Sequence, residues 1–394
     1  MKGEENIKAM QEFQKMVDSV FGTGVVSIPM NEESTNITGA WYFDNEFVEF
    51  KRNFKARLDR LNSLYPNQKD NKIIQDLIAN MTKVQNWDGS YPELVAYDVL
   101  NTSYVDKIEL NVTRAVSFAL TKHIEGRKGA NYDMLMSGDG YRVYLEVKSF
   151  ADRTGEILKN LVESIFKSKE FNELNIHIKP CYPMDDGESE YSDNFENLRK
   201  ELMAIIRDFL KNDEKRSQYQ SGIIPRLSYA ITIDDQSGNH YIREYCPYRR
   251  AEGLKDFVIN RYCDKIPYSA PFFLVFVNFA WYNQVDRNSF EFNRELYRSL
   301  ARRTFMQYEN TSNNRPISEI YPNFTGRQTA KFAARKVTGM IFIDDYSTLE
   351  DKACTYVYLN PNADNKCPHF NHILNKTGRN VELGDFDDFE YDNY

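Results

Sequence analysis

The 394-residue chain lacks any apolar run long enough to span a bilayer. The longest, Pro271 to Trp281, falls far short of the roughly 20 residues a membrane helix needs. It also lacks an apolar signal segment at its start, because Met1 to Gln14 is polar and charged. No membrane association and a cytoplasmic location are therefore expected. Cys-x-x-Cys pairs are absent too. The five cysteines, Cys181, Cys246, Cys263, Cys354 and Cys367, are odd in number and irregular in spacing, which argues against a disulfide framework. Cys354, Cys367, His369 and His372 lie close in sequence, but zinc sites usually draw four ligands from tighter pairs. Packed thiols and loop histidines are the simpler expectation. No internal repeat is visible.

Lys and Arg are absent from two strongly acidic segments. Residues 184–196 hold Asp185, Asp186, Glu188, Glu190, Asp193 and Glu196; residues 381–394 hold Glu382, Asp385, Asp387, Asp388, Glu390 and Asp392. The net charge of −8 is therefore concentrated in one loop and one tail. Without them the chain is mildly basic, which is compatible with a polyanionic partner. The run 184–196 is expected to be a mobile loop. The tail 381–394 is expected to be disordered, either solubilising the chain or docking on a protein partner.

The apolar pattern predicts helices over 1–21, 45–64 and 71–84, with Phe47, Phe50, Phe54, Leu58 and Leu61 marking one face. A further helix follows over 91–100. Residues 131–136 and 141–148 read as two strands about Ser137-Gly138-Asp139-Gly140, a hairpin signal. Beyond them the pattern predicts helices near 155–168, 195–211 and 288–306. Strands are expected near 174–179, 227–234, 240–246, 272–280 and 337–344, an α/β alternation. Five regions result: an N-terminal helical region (1–86), a core (87–180), an insertion with the acidic loop and a hairpin (181–270), a C-terminal α/β part that completes the core (271–380), and the tail (381–394).

Alternation along Tyr141 to Ser149 puts Val143, Leu145 and Val147 on one face and Tyr144, Glu146 and Lys148 on the other. Glu146 and Lys148 are then about 7 Å apart along the strand. With Met136 facing Tyr141 across a four-residue loop, Asp133 falls opposite Tyr144 and diagonal to Glu146, close enough for both carboxylates to meet one cation. Two hard carboxylates suit Mg²⁺ or Mn²⁺, and a nearby ammonium can orient an attacking water and offset developing negative charge. Glu49-Phe50-Lys51, Asp213-Glu214-Lys215 and Glu350-Asp351-Lys352 share the triplet spacing. The first two fall in expected helices and the third in a polar loop. A solvated ion pair on a strand face is the competing reading for Glu146 and Lys148.

Asp133 followed by Glu146-Val147-Lys148 resembles the PD-(D/E)XK nuclease superfamily, over about residues 88–180. The proline that would precede the aspartate is Tyr132 here. The resemblance implies a restriction-endonuclease-like α/β core with a mixed central sheet flanked by helices. It implies Mg²⁺-dependent cleavage of nucleic acid, DNA ahead of RNA, by an endonuclease in restriction or antiviral defence. A homodimer able to cut both strands is compatible with it. It also gives Glu93 a role in the acidic cluster, although Ser90-x-x-Glu93 equally reads as a capping box. Two basic stripes, Arg294, Arg298 and Arg302 with Arg303, and Arg327, Lys331 and Arg335 with Lys336, could follow a nucleic-acid backbone or pair with neighbouring acids such as Glu291 and Glu295. The alternative to an enzyme is a non-catalytic nucleic-acid- or protein-binding scaffold with the same fold.

Overall fold

A computed structural model describes residues 2–27, 48–82, 87–101, 107–114, 130–138, 140–150, 153–172, 174–182, 188–212, 215–233, 240–241, 247–248, 250–252, 254–255, 266–267, 269–279, 290–306, 334–367 and 381–384. Near the N-terminus the helical spacing is realised as α1 (Lys2–Phe21), α2 (Val48–Leu64), α3 (Gln68–Met81) and α4 (Trp87–Leu100). On α2, Phe50, Phe54, Leu58 and Leu61 are completely buried, each stabilising the fold by roughly 1.5–3 kcal/mol. Asn67 caps α3 by accepting the Asp70 N–H at 2.8 Å, so the helix starts three residues before its apolar pattern does.

These helices cover one face of a seven-stranded mixed sheet. In chain order its strands are β1 (Lys107–Arg114), β2 (Ala130–Gly138), β3 (Tyr141–Ser149), β8 (Phe272–Asn278), β9 (Gly339–Asp345), β10 (Ala353–Leu359) and β11 (Val381–Gly384), and they lie side by side in that order. β1, β2 and β3 run antiparallel in turn, whereas β3, β8 and β9 are mutually parallel. Every residue of β8 and of β9 is buried, as unbroken apolar runs in parallel strands require. Met134, Leu145, Val147, Phe273, Val275 and Ile341 face the helices and share their core. On the opposite face the rings of Phe150, Phe276, Phe342 and Tyr358 pack together at centroid distances of 5.5–6.0 Å.

Gly339 opens β9 where the backbone of β10 passes close by. A Cβ there would meet Phe273 Cε1 at 2.5 Å and the Tyr358 carbonyl oxygen at 2.8 Å. Gly339→Ala should therefore cost about 1–3 kcal/mol, seen as a lower urea midpoint with an unchanged slope. An unchanged midpoint would mean that the strands part there at little cost.

A second unit, formed by the described residues of 151–258 and 288–303, has its own core. It contains α5 (Arg153–Phe166), β4 (Ile176–Cys181), α6 (Glu188–Asp193), α7 (Phe195–Lys211), β5 (Arg216–Gln220), β6 (Ser228–Ile233), β7 (His240–Tyr241) and most of α8 (Phe290–Met306). Its four strands are ordered β5-β6-β4-β7. Leu198, Leu202, Ile206 and Phe209 recur along α7 and are fully buried against Leu158, Ile178 and Ile231 of the same core.

The units cut across the boundaries expected from sequence. The N-terminal helices and the hairpin belong to one unit, and β8, β9 and β10 complete that unit's sheet, whereas α5 and β4 belong to the other. Three further strands were not anticipated: β5 (RSQYQ) has almost no apolar residue, β10 is apolar without alternating, and β1 alternates Ile108, Leu110 and Val112 with polar residues, a period-two pattern that could have revealed it. The acidic run is not wholly a loop, because α6 forms within it and Tyr191 anchors that helix in the core. Nor is the tail wholly without structure: β11 pairs with β10 in parallel, the ladder drawing in four residues that have no pattern of their own. Residues 385–394 lie outside the described set. Among the described residues no helix is long and apolar enough to cross a membrane.

Candidate active site

The site is built where β2 parts from β3. Their recorded pairs run from Gly138↔Tyr141 to Met134↔Leu145, so just two residues link the strands and Gly140 takes φ 78°, as an Asp-Gly hairpin turn prefers. Met136 therefore faces Val143, not Tyr141, a shift of two from the expected register. A shift of two preserves the faces, because side chains alternate with period two. Asp133, one residue past the last pair, leaves the ladder. Its Oδ2 accepts the Val147 N–H at 2.6 Å, and its carbonyl accepts the Tyr97 hydroxyl at 3.1 Å. Across the sheet the β1–β2 pairing also omits the residue facing Asp133, and there Asn111 adopts φ 47°, a conformation Asn tolerates better than most residues.

That departure brings the charged groups together. Lys148 Nζ lies 2.6 Å from Glu146 Oε1 and 3.7 Å from Asp133 Oδ2. Glu146 is fully buried in mid-strand, Asp133 is mostly buried, and Lys148 is the most accessible of the three, with 29% of its side chain exposed. Glu93 approaches from α4. That helix begins at Trp87, so Ser90 sits inside it and the expected capping box does not form. The Glu93 carboxylate instead accepts from the hydroxyl of Tyr97, one turn further on, at 3.0 Å. The Glu93 carboxyl is pushed up to about 8, chiefly by burial and next by the charge of Asp133, with a smaller push from Glu146, against the opposing pull of the Tyr97 hydrogen bond and Lys148.

The shift of Glu93 has a consequence for stability. An unfolded Glu93 ionises near its ordinary value of 4.5, whereas the folded group keeps its proton to about 8. Its contribution is fully present below the lower value and is lost as pH rises through the upper one. In chelator, the melting temperature should fall between pH 5 and pH 8.5, and Glu93→Gln should flatten that fall. Identical slopes in the two proteins would exclude Glu93 as the cause.

Three carboxyl groups and one ammonium lie within electrostatic reach of each other, and hard oxygen donors are the chemistry a divalent cation of the Mg²⁺ class takes. Among the described residues, however, no group of three or more His, Cys, Asp and Glu side chains is arranged to hold a metal ion. The oxygen donors that the site brings to one point are those of Asp133 and Glu146, at 3.7 Å and 2.6 Å from Lys148 Nζ.

The remaining sequence candidates have other surroundings. Lys51 pairs with Glu12 at 3.2 Å on the helices, and Lys352 pairs with Glu350 at 3.5 Å; Asp213 and Glu214 lie outside the described residues. Arg302 is buried on α8, Arg298 is half-buried and Arg294 is exposed. Arg303 pairs with Glu252 at 2.6 Å. The first stripe is therefore not a continuous solvent-facing row: α8 also buries Leu296, Tyr297, Leu300, Ala301 and Phe305, and Arg302 turns with them. In the second stripe Arg335 and Lys336 both pair with Asp364 at 2.8 Å, while Arg327 and Lys331 lie outside the described residues. Cys354 and Cys367 are buried and form no disulfide; His369 and His372 also lie outside.

Two features were not anticipated from sequence. Tyr97 stands four residues after Glu93, a helical spacing that could have revealed it. The other is a buried ionic clamp. Arg57 of α2 reaches Asp98 (3.2 Å) and Tyr91 (3.0 Å) of α4 and Asp345 of β9 (2.8 Å), and Tyr91 also bonds Asp345 and Ser347. Arg60 grips Asp98 with two nitrogens and Asp351 with two more contacts. Burial disfavours the charge on Arg57, but Asp345, Tyr91 and Asp98 overcome it and hold the guanidinium ionised. Compared with known proteins, the chain matches no family model, no curated protein and no solved structure.

Proposed function

We propose that the chain is a metal-dependent nuclease of the PD-(D/E)XK type, hydrolysing phosphodiester bonds in nucleic acid. The observation that carries the reading is the convergence of Asp133, Glu146 and Lys148 at one notch in the sheet, with Glu93 within electrostatic reach. An antiparallel hairpin followed by parallel strands, helices on one face and acidic residues at the strand divergence support a restriction-endonuclease-like core.

Asp133 and Glu146 would hold Mg²⁺ or Mn²⁺, which supplies charge neutralisation at the phosphate and an acidified water. The Asp133 carboxylate is fixed by the Val147 amide, so it is oriented before substrate arrives. The Lys148 ammonium, the exposed member of the set, meets the scissile phosphate, orients the attacking water and offsets charge as the bond breaks. Glu93, protonated at neutral pH, adds a carboxyl that ionises when more positive charge enters the site. DNA is the preferred substrate and an endonuclease in restriction or antiviral defence the preferred role, both on the resemblance.

The test is incubation of the purified chain with plasmid, linear DNA and RNA in Mg²⁺ or Mn²⁺. Cleavage that disappears in chelator and in Asp133→Ala supports the reading; cleavage undiminished by Asp133→Ala sinks it. A second reading, a nuclease-like scaffold that binds without cutting, draws on the finding that, among the described residues, no three carboxylates are arranged to hold a metal ion. It predicts no cleavage with any divalent ion and no heat of Mn²⁺ binding lost in Glu146→Ala.

A further inference from the structure

We propose that Tyr97 is a positioning residue of this site, its hydroxyl tying the Glu93 carboxyl to the point where β2 leaves the ladder. The proposal rests on the nuclease reading and extends it to a side chain whose type is not part of the sequence motif. The Tyr97 oxygen lies 3.0 Å from Glu93 Oε2 and 3.1 Å from the Asp133 carbonyl oxygen. One hydroxyl, sharing its single proton between the two acceptors, thus bridges a helix carboxyl and a strand carbonyl. The strand end of this bridge lies one residue past the last β2–β3 pair, Met134↔Leu145, at a position that the β1–β2 pairing also passes over, so the Tyr97 hydroxyl adds a tie from α4 where the ladder changes. Fixing that carbonyl fixes the carboxylate of the same residue, which reaches back to the Val147 amide.

Tyr97 is itself held at both ends. Its side chain is completely buried, its ring meets the Tyr65 ring edge-on at 6.4 Å, and its own carbonyl accepts the Tyr65 hydroxyl at 3.2 Å. Such a residue acts on a metal ligand as an outer partner does, by orienting it without touching the ion. Removing partners of that kind typically weakens metal affinity about 10–100-fold.

The experiment compares the wild-type chain, Tyr97→Phe and Tyr65→Phe by Mn²⁺ titration calorimetry and by cleavage rates at limiting and saturating Mn²⁺. Tyr97→Phe keeps the ring and loses the bridge. Its Mn²⁺ dissociation constant should rise about 10–100-fold, and its rate deficit should shrink as Mn²⁺ saturates. Tyr65→Phe, which loses a hydrogen bond to the same helix but leaves the bridge, should bind Mn²⁺ like the wild type. A folded Tyr97→Phe with wild-type Mn²⁺ affinity would overturn the proposal and leave the nuclease reading standing. So would equal weakening by Tyr65→Phe, which would mark a general loss of helix packing. Failure of Tyr97→Phe to fold would assign the hydroxyl to the fold and also overturn it. A wild-type chain that neither binds Mn²⁺ nor cuts would remove the nuclease reading itself.

Discussion

Lys148→Ala should lower the rate of phosphodiester cleavage by about 10²–10⁴-fold while leaving the fold intact. Lys148 is partly exposed, so its truncation opens no cavity in the core. What it removes is the ammonium 2.6 Å from the buried Glu146 carboxylate and 3.7 Å from Asp133. Two effects then act in the same direction: the charge developing on the phosphate loses its nearest cationic partner, and Glu93, which Lys148 pulls downward, moves above its value of about 8. A larger share of Glu93 is then protonated at neutral pH. Lys148→Arg should recover little, because a planar guanidinium cannot occupy the position of a compact ammonium against Glu146. The measurement is a single-turnover rate at saturating Mg²⁺, with circular dichroism to confirm folding. A folded Lys148→Ala cutting at the wild-type rate would place the chemistry elsewhere.

Arg57→Leu should cost about 3–5 kcal/mol of stability, because it leaves the carboxylates of Asp345 and Asp98 buried without their central partner. Arg57 and Asp345 are nearly inaccessible, so water cannot take its place. Arg60 still serves Asp98 at 2.8 Å, which directs most of the penalty to Asp345. The double variant Arg57→Leu/Asp345→Leu should therefore recover part of the loss, since replacing both members of a buried pair by apolar groups is often close to neutral. Urea unfolding of the two single variants and the double variant forms a cycle that measures this. Additive losses in that cycle would show that Arg57 and Asp345 do not act on each other.

The hairpin shows what the sequence could reveal and why. Alternation along Tyr141 to Ser149 placed Glu146 and Lys148 on one face, and the sheet keeps them there. The register assumed for the hairpin differs by two residues from the one formed, an even slip that keeps the faces of the paired residues; Asp133, past the last pair, reaches Lys148 by leaving the ladder. What the pattern could not show was that β2 stops pairing at Met134, since a strand that leaves its ladder has no signature in alternation. Glu93 was legible as a candidate, but its cap reading depended on a helix starting at Ser90, and α4 starts at Trp87. The clamp was beyond reach for a different reason. Arg57 lies 41 positions from Asp98 and 288 from Asp345, and no local period links residues so far apart. The basic stripe on α8 failed in its own way: helical spacing finds which residues share a face, not whether that face meets water. Arg302 is on the stripe and nevertheless buried.

Helix α4 carries the clamp through Tyr91 and Asp98, and the candidate site through Glu93 and Tyr97. Its amide protons should consequently be among the slowest in the molecule to exchange with deuterated solvent, opening only when the whole unit unfolds. Local fraying could not loosen the acidic cluster while sparing the remainder, so the site and the sheet would be lost in a single cooperative event. Any conformational gating of the chemistry would then have to come from segments other than α4, leaving the acidic cluster as the fixed anvil against which they move.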